Sequence, residues 1–188
     1  LVLSPAASAL TLSGGITGTG NVTLNSTGAG VITLSANAVN NTGTITNSGA
    51  GAATNLITGG VGTNVTGITQ NSITSALTVS TTALAVNSGG TTLTNTVGTR
   101  LLTVSGGVTG TGDLILNNNS ATAAGITVST AAVNHTGAIT NSGSGMGGNT
   151  ISAVIGTNVT GVTQNSGTSA LSLSGVNTYT SATTIDAG

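Results

Sequence analysis

Few side chains in this chain could carry acid, base or metal chemistry, and they stand far apart in the sequence. The 188 residues contain two acids, Asp113 and Asp186, one strong base, Arg100, and one histidine, His135, and they contain no cysteine. Polysaccharide hydrolases and lyases need clustered carboxylates, or a carboxylate with a basic group, at one spot. The two aspartates are 73 positions apart, so they could act together only if the fold returned the chain to the same place.

A metal or cofactor site is not expected either. His135 stands beside Thr136 and Gly137, a turn-like context that predicts a surface position for its ring. No second histidine and no cysteine could complete a zinc site, and the regularly spaced aspartates of calcium-binding β-rolls are missing. The residue types therefore predict a protein that is not an enzyme and holds no cofactor.

The composition also argues against several kinds of partner. Charged residues make up 2% of the chain, the formal net charge is −1, and 37% of the residues are apolar. Without a cluster of Lys and Arg, binding of nucleic acid is not expected, and without a run of 18 apolar residues neither is membrane insertion. Disordered chains usually combine low hydrophobicity with high net charge, so a folded chain with a neutral polar surface is favoured.

Two long segments of the sequence occur twice. SGGITGTGNVTLN at 13–25 recurs 92 positions later as SGGVTGTGDLILN, and TNVTGITQNS at 63–72 recurs 94 positions later as TNVTGVTQNS. Two extra residues therefore lie between the two repeated segments in the second copy. We interpret the chain as one solenoid over 1–188 with repeat cycles at 13–104 and 105–188, in which 1–12 completes a preceding coil.

A shorter repeat of about 23 residues lies within each cycle. Val, Ile or Leu alternates with Thr or Ser in short runs, and clusters of Gly, Asn and Ser separate these runs. Alternation with a period of two predicts strands, and the clusters predict turns. Such a unit cannot bury its apolar face alone, but copies stacked about 4.8 Å apart form a continuous core. The sequence thus predicts an all-β fold, a parallel β-solenoid of about eight coils in two four-coil cycles.

Two series of residues are predicted to stack along the solenoid. The predicted core column consists of aliphatic residues: Val22, Ile45, Ile68, Leu93, Leu116, Ile139 and Val162. The predicted structural ladder consists of asparagines whose side chains would hydrogen-bond from coil to coil: Asn25, Asn47, Asn71, Asn95, Asn117, Asn141 and Asn165.

The repeat also bears on the two aspartates. Asp113 aligns with Asn21 and Asp186 with Thr94, so both occupy positions where the repeat uses uncharged polar residues. A separation of three coils would hold them roughly 14 Å apart, which is too far for both to act on one bond. We therefore expect neither aspartate to be catalytic.

The last 18 residues, LSLSGVNTYTSATTIDAG at 171–188, resemble the autotransporter-associated β-strand repeat of bacterial surface proteins. The matching residues are Leu171, Leu173, Ser174, Gly175, Asn177, Thr178, Tyr179, Thr180, Thr183, Thr184 and Ile185. Ser181 stands where that family usually has Gly after the Tyr-Thr pair. The resemblance implies a right-handed β-helix outside a bacterial cell, serving as a stalk, adhesin or scaffold.

These observations predict a structural function: an extracellular β-solenoid acting as filament subunit, scaffold or adhesin stalk on a bacterial surface. One alternative is an adhesin that binds a glycan through polar rows containing Gln70 and Gln164. Another is ice binding by rows of threonine such as Thr44 and Thr46. The repeat places Leu24 or Gln70 at the corresponding site of intervening coils, which predicts a broken threonine row and argues against ice binding.

The ends of the chain suggest a partner. Leu1, Leu93 and Ile185 share one phase of the 92-residue cycle, and Pro5 is the only obstacle to strand pairing near either end. No cluster of charges blunts the terminal strand edges, as natural proteins often do. We therefore expect the column to continue beyond both ends, within a longer parent chain or through head-to-tail stacking of copies.

Overall fold

The computed structural model describes residues 1–96, 98 and 100–188, and within these residues it contains strands and no helix. None of the described segments is a helix capable of crossing a membrane. Nineteen short strands, numbered in chain order, wind into a parallel β-solenoid of about eight coils of about 23 residues. The predicted fold class is confirmed.

Each coil contributes one strand to each of two long parallel sheets. The first sheet consists of β1 (Val2–Leu3), β3 (Val22–Leu24), β5 (Gly43–Asn47), β7 (Val65–Gln70), β10 (Thr91–Asn95), β13 (Leu114–Asn118), β15 (Gly137–Asn141), β17 (Val159–Asn165) and β19 (Thr183–Ala187). The second sheet consists of β2 (Leu10–Leu12), β4 (Ile32–Leu34), β6 (Asn55–Ile57), β8 (Leu77–Val79), β11 (Leu102–Val104), β14 (Ile126–Val128), β16 (Asn149–Ile151) and β18 (Leu171–Leu173).

A third face closes each coil with less regular pairing. Its strands β9 (Leu84–Val86) and β12 (Val108–Gly110) pair in parallel, and single parallel bridges extend the same line in both directions. The inward residues of this line are Ile16, Val39, Val61, Leu84, Val108, Val133 and Ile155, all of them buried. The core is therefore enclosed on three sides, and aliphatic residues from all three faces fill it.

The three-residue strands show how the sequence forms this structure. In β4, Ile32 and Leu34 are buried, and Thr33 between them faces outward, because side chains alternate between the two faces of a strand. Thr33 lies beside Thr11 in the preceding coil, and Ile32 lies beside Leu10. These two coils thus place an aliphatic pair inward and a threonine outward, each beside the equivalent residue of its neighbour.

The corner after the second sheet contains a left-handed backbone residue at one of two positions. Gly60 and Gly107, three residues after β6 and β11, have φ of 88° and 92°, and Thr81 and Thr130, two residues after β8 and β14, have φ of 68°. A β-branched residue in this conformation costs of the order of 1–3 kcal/mol. Stacking of the strands on both sides of the corner must therefore hold the backbone in place there.

The predicted core residues are all buried, but one predicted stacking contact is wrong. Val22, Ile45, Ile68, Leu93 and Leu116 lie in successive register, as predicted: each pairs with the next. Leu116, however, lies beside Asn141, and Leu114 is the residue that lies beside Ile139. The coil from Leu116 to Asn141 is two residues longer than its predecessor. Because side chains alternate with a period of two residues, the two extra residues change which residues of β13 and β15 lie side by side but leave the same side chains facing inward.

The inward position of Ile68 leads to a stability prediction. Ile68 is fully buried and Thr69, the next residue, faces outward in the same strand. We expect Ile68→Asp to lower the free energy of unfolding by more than about 3 kcal/mol, because it buries a charge without a partner. Thr69→Asp, the matched control, is expected to cost no more than about 1 kcal/mol. Urea denaturation of both variants provides the measurement, and equal losses would contradict the assigned inward face.

Candidate functional site

The most elaborate side-chain arrangement lies inside the solenoid, at the corner between the first and second sheets. Here Asn47, Asn55, Gln70, Ser72 and Ser75, the first amide cluster, are all removed from solvent. The cluster joins strands β5, β6 and β7 to the turn that follows β7. Buried amides and hydroxyls destabilise a fold unless they are hydrogen-bonded, so the pairing of each group decides what this cluster does.

The three amides of the first amide cluster bond to one another and to the backbone. Asn47 Nδ2 donates to Gln70 Oε1 at 2.8 Å and to Ser75 O at 3.0 Å. Asn55 Nδ2 donates to Asn47 Oδ1 at 2.9 Å. Gln70 Nε2 donates to Ser72 O at 2.8 Å and to Ser75 O at 2.6 Å. The amides thereby fix the path of the turn between Gln70 and Ser75.

The serines extend the first amide cluster to the neighbouring coil. Ser72 Oγ donates to Gly49 O at 2.5 Å and accepts from Ser75 N at 2.8 Å. Ser75 Oγ donates to Ala53 O at 2.6 Å. Because Gly49 and Ala53 form the same corner one coil earlier, these bonds tie one corner to the next.

A second amide cluster repeats this arrangement 94 positions later with Asn141, Asn149, Gln164, Ser166 and Ser169. Asn141 Nδ2 donates to Gln164 Oε1 at 2.7 Å, Asn149 Nδ2 donates to Asn141 Oδ1 at 2.8 Å, and Gln164 Nε2 donates to Ser169 O at 3.0 Å. The repeated segments TNVTGITQNS and TNVTGVTQNS each supply the glutamine and first serine of a cluster. The duplicated sequence thus encodes a duplicated buried corner.

Single asparagines continue the polar line between the two clusters. Asn95 lies beside Gln70 and Asn118 lies beside Asn95 in the first sheet, and both are fully buried. Asn95 Nδ2 donates to Gly125 O at 2.8 Å, and Asn118 Nδ2 donates to Gly147 O at 2.9 Å. Each amide therefore reaches from the first sheet to the corner of the next coil.

The predicted asparagine ladder is wrong as a single column. Three of its members, Asn47, Asn95 and Asn141, are buried in the polar line. The other four, Asn25, Asn71, Asn117 and Asn165, point outward and are partly or fully exposed. The buried asparagines stand two residues after an inward aliphatic residue, and the others stand one or three residues after one. Because side chains alternate, counting from the core column separates the two groups.

The glutamines proposed as glycan contacts also face inward. Gln70 is fully buried and Gln164 is half-buried, and the amide of each is engaged in its own cluster. Leu24 is inward as well, so neither Leu24 nor Gln70 interrupts an outward threonine row. The outward residues beside them, Thr23 and Thr69, belong to a row with Thr46 between them.

His135 is buried, contrary to the surface position that its neighbours Thr136 and Gly137 predict. It stands four residues before the inward Ile139, so the alternation of side chains places it inside. Burial lowers the pKa of His135 below 6.5, and smaller opposing effects come from Ala138 O and Asp113. The charged imidazolium is therefore disfavoured in the folded chain.

The two aspartates lie in different coils and are not brought together. Asp113 precedes β13 and Asp186 lies in β19, and β15 and β17 separate these strands in the first sheet. Asp113 Oδ1 accepts from Ala138 N at 2.8 Å, just as Asn21 Oδ1 accepts from Thr44 N at 3.0 Å in the first cycle. Both residues cap the backbone of the following coil. The described residues contain no group of three or more His, Cys, Asp or Glu that could hold a metal.

Comparison with protein-family models, curated proteins and solved structures found no match for this chain. The resemblance of residues 171–188 to the autotransporter-associated repeat therefore stays a prediction. The features of the structure that bear on function are the two amide clusters and the outer faces of the solenoid.

The bonds of the first amide cluster predict different effects for two asparagines that resemble each other in sequence. Asn47→Ala would leave Gln70 Oε1 without a partner inside the core and Asn55 Nδ2 with only its 3.3 Å bond to Ser75 Oγ, and we expect it to cost about 2–3 kcal/mol. Asn71→Ala removes one exposed contact with Thr96, and we expect it to cost less than about 1 kcal/mol. Chemical denaturation of both variants is the measurement. Equal losses would show that the buried cluster does not stabilise the fold.

Proposed function

We propose that this chain is a structural β-solenoid that serves as scaffold, filament subunit or adhesin stalk. The observation that carries the proposal is the coil-to-coil register, which runs through nine strands of the first sheet and eight of the second. Parallel backbone hydrogen bonds along the axis, with a continuous core behind them, make a stiff rod. Eight coils spaced about 4.8 Å apart give a rod roughly 38 Å long.

The buried amide clusters support a mechanical role. Each cluster links the corner of one coil to the corner of the preceding coil through side chains as well as backbone, as in the bond from Ser75 Oγ to Ala53 O. Separating two coils there would break buried hydrogen bonds in addition to the strand ladder. Since broken buried bonds leave unsatisfied polar groups, these corners resist opening more than an aliphatic corner would.

The proposed partner is a further coil of the same repeat, provided by a longer parent chain or by a second copy. At the end formed by β18 and β19, an open cavity is lined by Val162, Leu171, Leu173, Thr183 and Ile185. Ile185 lies in register beside Gln164 and is 75% exposed. A coil placed on this end would bury the same kind of surface that coils bury on one another throughout the chain.

The proposed location, the outside of a bacterial cell, rests on the resemblance of residues 171–188. The neutral faces are compatible with a stalk or filament, because contacts between coils depend on backbone bonds and apolar burial rather than on ion pairs. Such contacts are only weakly screened by salt.

End-to-end stacking of copies can be tested with one pair of variants. Electron microscopy and light scattering of concentrated protein are expected to show rods longer than one chain, equally at low and high salt. Ile185→Lys is expected to leave single short particles, because the inward lysine would be buried by the next coil. Thr184→Lys, whose side chain faces outward, is expected to keep the long rods. If the unmodified chain stays monomeric, stacking of separate copies is excluded.

A second candidate function, ice binding, is favoured by the outer face of the second sheet. Six of its eight strands place a threonine at the central outward position, in parallel register: Thr11, Thr33, Thr78, Thr103, Thr127 and Thr150. Leu56 and Ser172 occupy that position in the other two strands. A flat, uncharged row of hydroxyl and methyl groups repeating about every 4.8 Å resembles the regular spacing of an ice surface.

Thermal hysteresis measures this second candidate directly. If the second sheet binds ice, the unmodified chain depresses the freezing point below the melting point. Thr103→Lys would then abolish the effect, because a long charged side chain holds the flat face away from the lattice. Thr157→Lys, at an exposed corner outside the second sheet, is expected to keep it. Absence of thermal hysteresis in the unmodified chain would exclude ice binding.

A further inference from the structure

His135 introduces an ionisable group into an otherwise uncharged interior. Its side chain is fully buried, and it stands in the corner that joins Val133 on the third face to strand β15. The Nε2 atom lies 3.4 Å from Ala138 O, and Nδ1 has no hydrogen-bond partner within the described chain. A neutral ring with its proton on Nε2 fits this site. A second proton on Nδ1 would find no acceptor.

The first cycle contains the same corner without an ionisable group. Asn41 stands 94 positions before His135 and is also buried. Asn41 Nδ2 donates to Gly20 O at 2.7 Å and lies 3.4 Å from Thr44 O, and Thr44 is the equivalent of Ala138. The His135 imidazole thus makes the equivalent of the longer Asn41 contact, the one to the carbonyl oxygen of Thr44. The imidazole also has a second nitrogen, which can be protonated.

We propose that His135 makes the corner between Val133 and Gly137 an acid-sensitive point of the solenoid, at which protonation of the ring opens the coil. The physical reason is that a buried cation without a partner is strongly unfavourable. Opening the corner lets water reach the ring. The equivalent corner at Asn41 stays closed at the same pH, so acid acts on one coil of the second cycle only.

The charged groups around His135 do not compensate for a proton on the ring. From the preceding coil, Asp113 is the one acid that faces it, and its carboxylate is exposed and bonded to Ala138 N. The following coil, residues 149–165, contains no Asp, Glu, Lys, Arg or His. Burial lowers the pKa of His135 in the folded state by more than Ala138 O and Asp113 raise it.

The direction of the effect on stability follows from that lowered pKa. The folded chain binds the proton less readily than the unfolded chain, whose histidine has a pKa of about 6.5. The contribution of neutral His135 is therefore fully present above pH 6.5 and is lost as the pH falls below it. Between pH 6.5 and the folded-state pKa, the equilibrium constant for opening is expected to rise by up to about tenfold per pH unit.

The full chain can be tested directly, because it has a single histidine. Proton NMR of the imidazole is expected to give a pKa below 6.5 in the folded protein, and hydrogen exchange at pH 5 is expected to be faster for amides 133–139 than for the equivalent amides 39–45, after correction for intrinsic rates. An imidazole pKa at or above 6.5, or equal exchange at the two corners, would overturn the proposal.

Three variants identify the group responsible. His135→Asn, which copies the first cycle, is expected to remove the pH dependence of stability between pH 8 and 5. Asn41→His is expected to add a second acid-sensitive corner and steepen that dependence. Asp113→Asn is expected to retain it. If His135→Asn keeps the wild-type pH profile while Asp113→Asn flattens it, the aspartate is the sensor and the proposal is wrong.

Discussion

The parallel register between coils is the constraint on which the rest of the structure depends. Each residue of a strand lies beside the residue about 23 positions away, so the chemistry of one coil must be tolerated by the next. An inward position has to be aliphatic or to find its hydrogen-bond partners inside. An outward position lies between similar neighbours on both sides, which favours small uncharged side chains over charges of one sign. Stacking of this kind favours the small number of ionisable groups in the chain.

The buried amides have a role that aliphatic residues could not fill. A column of Val, Ile and Leu would pack almost as well if one strand slid by two residues, because inward positions recur with that period. Such a shift does occur at Leu116, which lies beside Asn141 rather than beside Ile139. Within a cluster, however, sliding would separate Asn47 from Gln70 and leave buried groups unpaired. The amide clusters therefore specify register, and the aliphatic columns supply most of the apolar burial.

The network is not completely satisfied. Oδ1 of Asn95 and Oδ1 of Asn149 have no partner within the described chain, whereas the corresponding Asn55 Oδ1 accepts from Ile32 N at 2.9 Å. An unpaired buried carbonyl oxygen costs of the order of 1–3 kcal/mol. Among the described residues each cycle contains two unpaired buried side-chain atoms: Asn41 Oδ1 and Asn95 Oδ1 in the first, and His135 Nδ1 and Asn149 Oδ1 in the second. The second cycle differs from the first in its buried histidine and in the longer coil after Leu116.

The fold could be predicted from the sequence because its main determinants are local and periodic. Alternating Val, Ile or Leu with Thr, repeated about every 23 residues, predicts short parallel strands and the inward position of Ile68. When residues are counted from the core column, the same alternation also predicts that His135 faces inward and that Asn71 faces outward. Grouping the asparagines by residue type alone instead combined inward and outward residues in one predicted ladder.

Tertiary structure decided the features that depend on how atoms of different coils meet, namely the strand register and the hydrogen-bond partners of the buried amides. The sequence by itself determined the strands, their spacing and the lack of charge. It could not determine that Leu116 lies beside Asn141, because a shift of two residues leaves the pattern of inward and outward side chains unchanged. Nor could it determine that Asn47, Gln70 and Ser75 meet, since hydrogen bonding selects partners by the geometry of a folded corner, and that geometry exists only once the coils have stacked.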